Sequence, residues 1–156
     1  MRRKIILTLA VLTGLLVTAA LVTASIWPVI NDVETGKTPQ YPKLLPQYFS
    51  ADMPRVFAEA SASVRALDRF TTVSEDAEAG VIEATRESHI GFVDDVTIHV
   101  RPQTDFVTSV SVHSRSRVGI GDFGQNARNI RAFQAELDRR LGAVRFNPYE
   151  KKSEDP

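Results

Sequence analysis

Between Ile5 and Ile26 the chain runs for 22 residues without a charged side chain. As a helix the run is about 33 Å long at about 1.5 Å per residue, against a bilayer hydrocarbon core of about 30 Å. A charge-free segment of that length is a poor core helix for a small domain, so it divides the chain into a membrane segment, residues 1–27, and everything that follows. The basic cluster Arg2, Arg3 and Lys4 is expected to stay cytoplasmic and Trp27 suits the far interface. The remainder is therefore expected outside the cytoplasm, which in a bacterium makes a single-pass inner-membrane protein with a periplasmic domain. A cleavable signal peptide is the rival reading, because Val22-Thr23-Ala24 before Ser25 is an acceptable small-residue cleavage site. The length of the apolar run favours the anchor, and both readings export the domain.

In a chain of 156 residues this leaves room for one compact domain. With 43% hydrophobic and 24% charged residues the composition is that of an ordinary globular fold. Cysteine is absent, which removes disulfides, thiol nucleophiles, thiolate metal sites and a lipidated N-terminal cysteine together. Three of the 19 basic residues precede the apolar run, so 16 face 19 acidic residues beyond it. A mildly acidic domain gains little from counterion release, which argues against nucleic acid as a partner. The partners left are the membrane itself, through residues 5–26, and a lipid, a small molecule or an envelope protein.

Residues 28–49 carry Pro28, Pro39, Pro42 and Pro46 among Tyr41, Tyr48 and Phe49, a composition that opposes a helix or a central strand. The segment is expected to run extended and to wrap the domain, which occupies residues 50–146. Ser50 or Asp52 can cap a helix with Pro54 in its first turn, and Val56, Phe57, Ala60, Val64 and Leu67 recur at helical spacing. Strands are expected over Phe70–Ser74, Val81–Glu87, Val93–Arg101 and Phe106–Val118, with turns at Asp76–Gly80 and Pro102–Asp105. In the third, Val96, Ile98 and Val100 alternate with polar residues; in the fourth, Val110 and Val112 do. A last helix from near Asp122 to Leu141 places Ala127, Ile130, Phe133, Leu137 and Leu141 on one stripe. The tail from Asn147 is expected to be disordered. The order predicts an α+β fold: an antiparallel sheet of about four strands with two helices on its apolar face, behind one transmembrane helix.

From Tyr41-Pro42 onward the residues resemble a bacterial family known as domain of unknown function 1499. Ile30-Asn31-Asp32-Val33 resembles the family's entry segment, although His is expected where Asn31 stands. Gly91-Phe92-Val93-Asp94-Asp95-Val96 resembles its Gly-Phe-x-Asp-Asp-Val stretch. The longest match joins Ser114-Arg115-Ser116-Arg117-Val118-Gly119 to Asp122-Phe123-Gly124-Gln125-Asn126-Ala127-Arg128-Asn129-Ile130-Arg131-Ala132-Phe133, with departures at His113, Gly121 and Asn129. The resemblance implies a fold and an activity that is unknown, so it adds no catalytic residue; no cofactor is expected.

Several constellations could carry chemistry. Gly119-Ile120-Gly121-Asp122-Phe123-Gly124 fits a dinucleotide fingerprint, but too little chain follows for a second strand, and Asp122 at a helix start competes with a phosphate. Gln125 could complete a capping box there. A hairpin turning over Pro102–Asp105 sets Asp95 opposite Ser111 or His113, and His99 opposite Val107 or Ser109. His89, Asp95 and His113 then make a conceivable metal site. Asp94 and Asp95 with Arg115 and Arg117 could bind an anion or do acid–base work, or form cross-strand ion pairs. Ser114 and Ser116 lack a histidine relay at an elbow motif. Arg128, Arg131, Arg139 and Arg140 suit a solvated helix face or lipid headgroups. The candidate ligand-binding set is therefore Asp94, Asp95, His113, Arg115, Arg117, Asp122 and Asn126. Two functions follow: a non-enzymatic envelope module binding a protein or an amphiphile, or a small hydrolase-like enzyme using Asp94, Asp95, His113 and Arg117.

Overall fold

The computed structural model describes residues 2–26 and 28–148. Trp27 and most of the expected disordered tail, residues 149–156, lie outside the described residues. Helix α1 spans Arg2–Ile26. Its window Arg2–Val22 has a mean hydropathy of 2.6 and is 0% buried, so it is long and apolar enough to cross a membrane and is not a core helix of the domain. The hydroxyls of Thr8 and Thr18 donate to the carbonyls of Lys4 and Gly14 one turn back, at 3.0 and 2.9 Å. Polar groups satisfied within the helix are what an apolar surrounding requires.

Beyond it come β1 (Asp32–Glu34), β2 (Gln47–Phe49), α2 (Met53–Ala66), β3 (Phe70–Asp76), β4 (Val81–Glu87), β5 (Val93–Thr104), β6 (Val107–Ser116), α3 (Gln125–Leu141) and β7 (Arg145–Phe146). Asp52 caps α2 as expected, its carboxylate accepting from the backbone N–H of Arg55 at 3.2 Å, with Pro54 in the first turn. Strands β3 to β6 form the expected antiparallel meander. Gly80 closes the first hairpin at a φ of +65°, where a Cβ would lie 2.2 Å from the carbonyl oxygen of Val100, so no other residue fits. The sheet order is β3-β4-β5-β6-β2-β7, with β1 also on β6.

The sheet thus has seven strands and not about four. The additional three are two or three residues long, too short for an alternating pattern to register. Two of them come from the Pro-rich segment, which does wrap the domain: Asp32–Glu34 pairs with the end of β6 and Gln47–Phe49 with its beginning. Between them the chain leaves the sheet, and Thr35 replaces the ladder through its backbone N–H to the Val112 carbonyl and its Oγ1 from the Val112 N–H, each at 3.0 Å.

The β5–β6 register also differs from expectation. Asp95 faces Arg115, Thr97 faces His113, and His99 faces Ser111. Strand β5 runs on through Pro102 to a two-residue turn at Asp105-Phe106, with an irregularity between Pro102 and Thr104. Pro102 is tolerated because its nitrogen has the same parity as that of Val100, which points to Gly80 on the β4 side. Strand β4 has ended there, and no ladder bond is lost.

One face of the sheet is covered by α2 and α3. Ile82, Ala84, Val96, Ile98, Val100, Val110 and Val112 meet Val56, Phe57, Ala60 and Val64 of α2 and Ala127, Ile130, Phe133, Leu137 and Leu141 of α3 in one core. The opposite face is polar. Segment 28–31, the β4–β5 turn and the β6–α3 loop all lie at the same end of the sheet, because β1, β4 and β6 reach it at the strand ends that adjoin them.

Candidate functional site

Alternation along β5 and β6 divides the expected site residues between the two faces. Asp95, with Arg115 and Arg117, lies on the outer face. Arg117 donates to both oxygens of Asp95, from Nε at 3.0 and 3.2 Å and from Nη2 at 2.7 Å, and this pairing raises the Arg117 pKa further above its ordinary value. His113 does not meet Asp95. Its Nε2 lies 2.6 Å from Asp32 Oδ1, and Arg115 approaches the other Asp32 oxygen at 3.8 Å. Strand β1 supplies this partner, and composition gives no sign of it.

His89 sits exposed in the β4–β5 turn. Among the described residues no group of three His, Asp or Glu side chains is gathered to hold a metal, so His89, Asp95 and His113 do not form the conceived site. His99 stands toward the other end of the sheet, where burial first and then Arg101 hold its pKa below the ordinary value. On α3, Arg139 and Arg140 both bind Glu136 at 2.6 to 2.8 Å, and Arg131 lies over the Tyr41 ring, 5.5 Å from its centroid.

Asp94 points the other way. It is 3% exposed, on the inner face, and its two oxygens accept from Ser116 Oγ at 2.7 Å and Asn129 Nδ2 at 2.8 Å. Asn129 also reaches Ser114 Oγ at 3.2 Å, and Ser114 donates to Asn126 Oδ1 at 2.7 Å. The Asn126 amide donates on to the Asn31 carbonyl and to Ser116 Oγ, both at 3.0 Å. Asp122 completes the array, accepting from the N–H of Gly124 at 2.8 Å and of Asn126 at 2.6 Å. This carboxylate fills the start of α3 where a phosphate would otherwise sit. Gln125 does not close a capping box; its amide donates to Asn129 Oδ1 at 2.7 Å.

Three stretches far apart in sequence, around residues 31, 94 and 114–129, thus converge on one hydrogen-bond network, buried at its centre of Asp94, Ser114, Asn126 and Asn129 and half-buried at Asn31, Ser116 and Asp122. Buried polar groups are tolerated at this density only when mutually satisfied. Asp94, Asp122 and Asn126 belong to it, whereas Asp95, His113, Arg115 and Arg117 do not. Asn31, Ser114, Ser116 and Asn129 are members beyond the candidate set; the signal that could have found them is their position inside the quoted motifs, on the inward parity of β6 and one turn apart on α3.

Over this network opens a cleft of about 540 Å³, lined by Ile90, Phe92, Val118 and Phe123 on its walls and by Asp94, Ser116, Gln125 and Arg128 among its polar groups. A second cleft of about 320 Å³ adjoins it, between Leu67, Phe70 and Arg86, and shares Gln125 and Arg128. Arg128 is held in place by the Phe123 carbonyl at 2.9 Å and by Gln125 Oε1 at 3.0 Å. Mostly apolar walls with a few fixed polar groups suit a molecule with an apolar body and one polar end.

Among solved structures, the chain is similar to the di-domain ARO/CYC StfQ from the steffimycin biosynthetic pathway, at 13% identity over 62% of this chain and 43% of that one, with a TM-score of 0.48. It is similar to the di-domain ARO/CYC BexL from the BE-7585A pathway at 16% identity, over 73% of this chain and 45% of that one, TM-score 0.44. A protein of Chromobacterium violaceum matches at 14% identity over 71% of this chain and 97% of its own, TM-score 0.43. The chain spans less than half the length of either di-domain protein. No curated protein matches it. A family model described as "Protein of unknown function (DUF1499)" matches residues 23–137, which is more than half of the chain. These residues include all three stretches that build the buried network, and the chain belongs to the DUF1499 family.

Proposed function

We propose that this chain is a membrane-anchored, non-enzymatic binding module of the bacterial cell envelope, with its domain outside the cytoplasm and an amphiphilic molecule as its ligand. The observation that carries the reading is the cleft of about 540 Å³ with apolar walls, because ligand sites of this kind occupy about 300 to 1,000 Å³. Arg128 and Gln125 stand at its edge to receive a polar or anionic end, and the buried network behind them fixes the floor. Helix α1 supplies the anchor, with Arg2, Arg3 and Lys4 on its cytoplasmic side. A hydrolytic role for Asp94, Asp95, His113 and Arg117 lacks this support, since the two aspartates lie on opposite faces and His113 is paired with Asp32.

Photo-crosslinking tests it. A benzophenone side chain replacing Gln125, which lines both clefts, is expected to yield on illumination an adduct of amphiphile mass from the cell envelope. The same side chain replacing Phe106, at the tip of the β5–β6 turn, is expected to yield none. Adducts to polypeptide alone at position 125 would make the module one of protein interaction, and equal adducts at both positions would remove the cleft as the site.

A further inference from the structure

The loops that flank the cleft expose more apolar surface than folding explains. Ile90 is 77% exposed, Phe92 54%, Val118 56%, Ile120 84%, Phe123 63% and Val29 63%. These are six of the large exposed hydrophobic residues of the domain, and all six sit at one end of the sheet. Four of them, Ile90, Phe92, Val118 and Phe123, rim the same cleft. Phe123 holds a φ of 51°, a left-handed backbone that an aromatic residue rarely adopts, and its side chain is exposed all the same. A contiguous apolar rim of this kind marks a surface that meets a partner.

The chain itself says which partner. Helix α1 ends at Ile26. Three residues of chain reach at most about 11 Å, so Val29 cannot be farther than that from the end of the helix. Val29 is in turn held against the β6–α3 loop: a Cβ on Gly121 would stand 3.4 Å from its Cγ1, Asp122 N–H donates to the Ile30 carbonyl at 3.0 Å, and the Asn31 amide donates to the Gly119 carbonyl. The rim is thus tied to the exit of α1. The carboxylate of the loop, Asp122, is half-buried in the lining of the cleft and accepts from the N–H groups of Gly124 and Asn126, which offset its charge at the rim. The opposite end of the sheet is acidic at its β3–β4 turn, with Asp76 and Glu78, and exposes Phe106 at its other turn.

We infer that Val29, Ile90, Phe92, Val118, Ile120 and Phe123 seat the domain on the outer surface of the bilayer that holds α1, so that the cleft opens toward lipid. Anchoring makes the contact intramolecular, and a shallow apolar insertion suffices once translational freedom has already been removed. Docking would also let an apolar ligand pass between membrane and cleft without crossing water. This inference rests on the anchoring half of the proposed function and is independent of the ligand.

The absence of cysteine makes the test direct. Single Ile90→Cys, Ile120→Cys and Phe106→Cys variants of the full chain are spin-labelled and placed in phosphatidylcholine–phosphatidylglycerol nanodiscs. Collisional accessibility to oxygen and to a water-soluble nickel chelate is then compared. The oxygen-to-nickel ratio is expected to be several-fold higher at positions 90 and 120 than at 106. A chain inserted in the discs whose position 120 is as open to nickel as position 106 would overturn the docking while leaving the anchor in place. A chain that does not enter the discs would overturn the anchor, and the docking with it.

Discussion

Asp94 and Asp95 adjoin in sequence and occupy opposite environments, and the difference decides what each can do. Asp94 is buried and accepts from Ser116 and Asn129, so Asp94→Ala takes the acceptor from the half-buried Ser116 hydroxyl and from one N–H of the buried Asn129 amide, which keeps only its longer bond to Ser114. An unsatisfied buried polar group costs about 1 to 3 kcal/mol, and the variant is expected to be less stable by that amount or more. Asp95 makes an exposed ion pair with Arg117, so Asp95→Ala is expected to cost about 0 to 1 kcal/mol. Thermal unfolding of the two variants followed by circular dichroism checks this, and equal losses would refute the division of faces. Part of this was legible: the period of two that assigns Val96, Ile98 and Val100 to the core continues back to Asp94. Grouping the aspartates as one cluster because both are charged overlooks that period. The pairing of His113 with Asp32 was not legible, because nothing local marks three residues of a proline-rich segment as a strand.

At the scale of elements, the meander, both covering helices and the Asp52 cap follow from alternation, helical spacing and capping residues, each of which is a local signal. The β5–β6 register does not, since it depends on where a long hairpin turns, and Pro102 in a strand that is an edge at that point resembles a turn residue. The packing of α2 on α3 adds an electrostatic link that helical spacing half reveals. Glu136 bonds Arg139 and Arg140, and Arg140 reaches Glu59 of α2 at 3.4 Å. The hydrogen bond from Arg139 first, and that from Arg140, hold the Glu136 carboxyl at about 2 against an ordinary 4.5. A depressed carboxyl pKa contributes stability above the unfolded value that is lost as pH falls toward the folded one. The chain is therefore expected to lose stability between pH 4.5 and about 2 in part through this group. Thermal midpoints of wild type and Glu136→Gln, measured across that window, are expected to converge as pH falls; a constant gap would show that Glu136 is not the titrating group.

For the whole molecule, the buried network, the cleft above it, the apolar rim and the exit of α1 all lie at one end of the sheet. That coincidence was legible only in pieces. The apolar run and the motif stretches can be read along the chain, while their convergence needs the fold to bring residues 29–31, 88–94 and 114–129 together. Such an arrangement suits a domain that itself retains an amphiphile, as proposed. Native mass spectrometry decides this, on full chain gently extracted from its own membrane and then cut behind α1 so that lipid around the helix is left behind. One bound amphiphile is expected to survive on the wild-type domain and to be depleted from Val118→Trp, whose larger side chain narrows the cleft at its apolar wall. A bare wild-type domain, or a ligand retained equally by Val118→Trp, would contradict it.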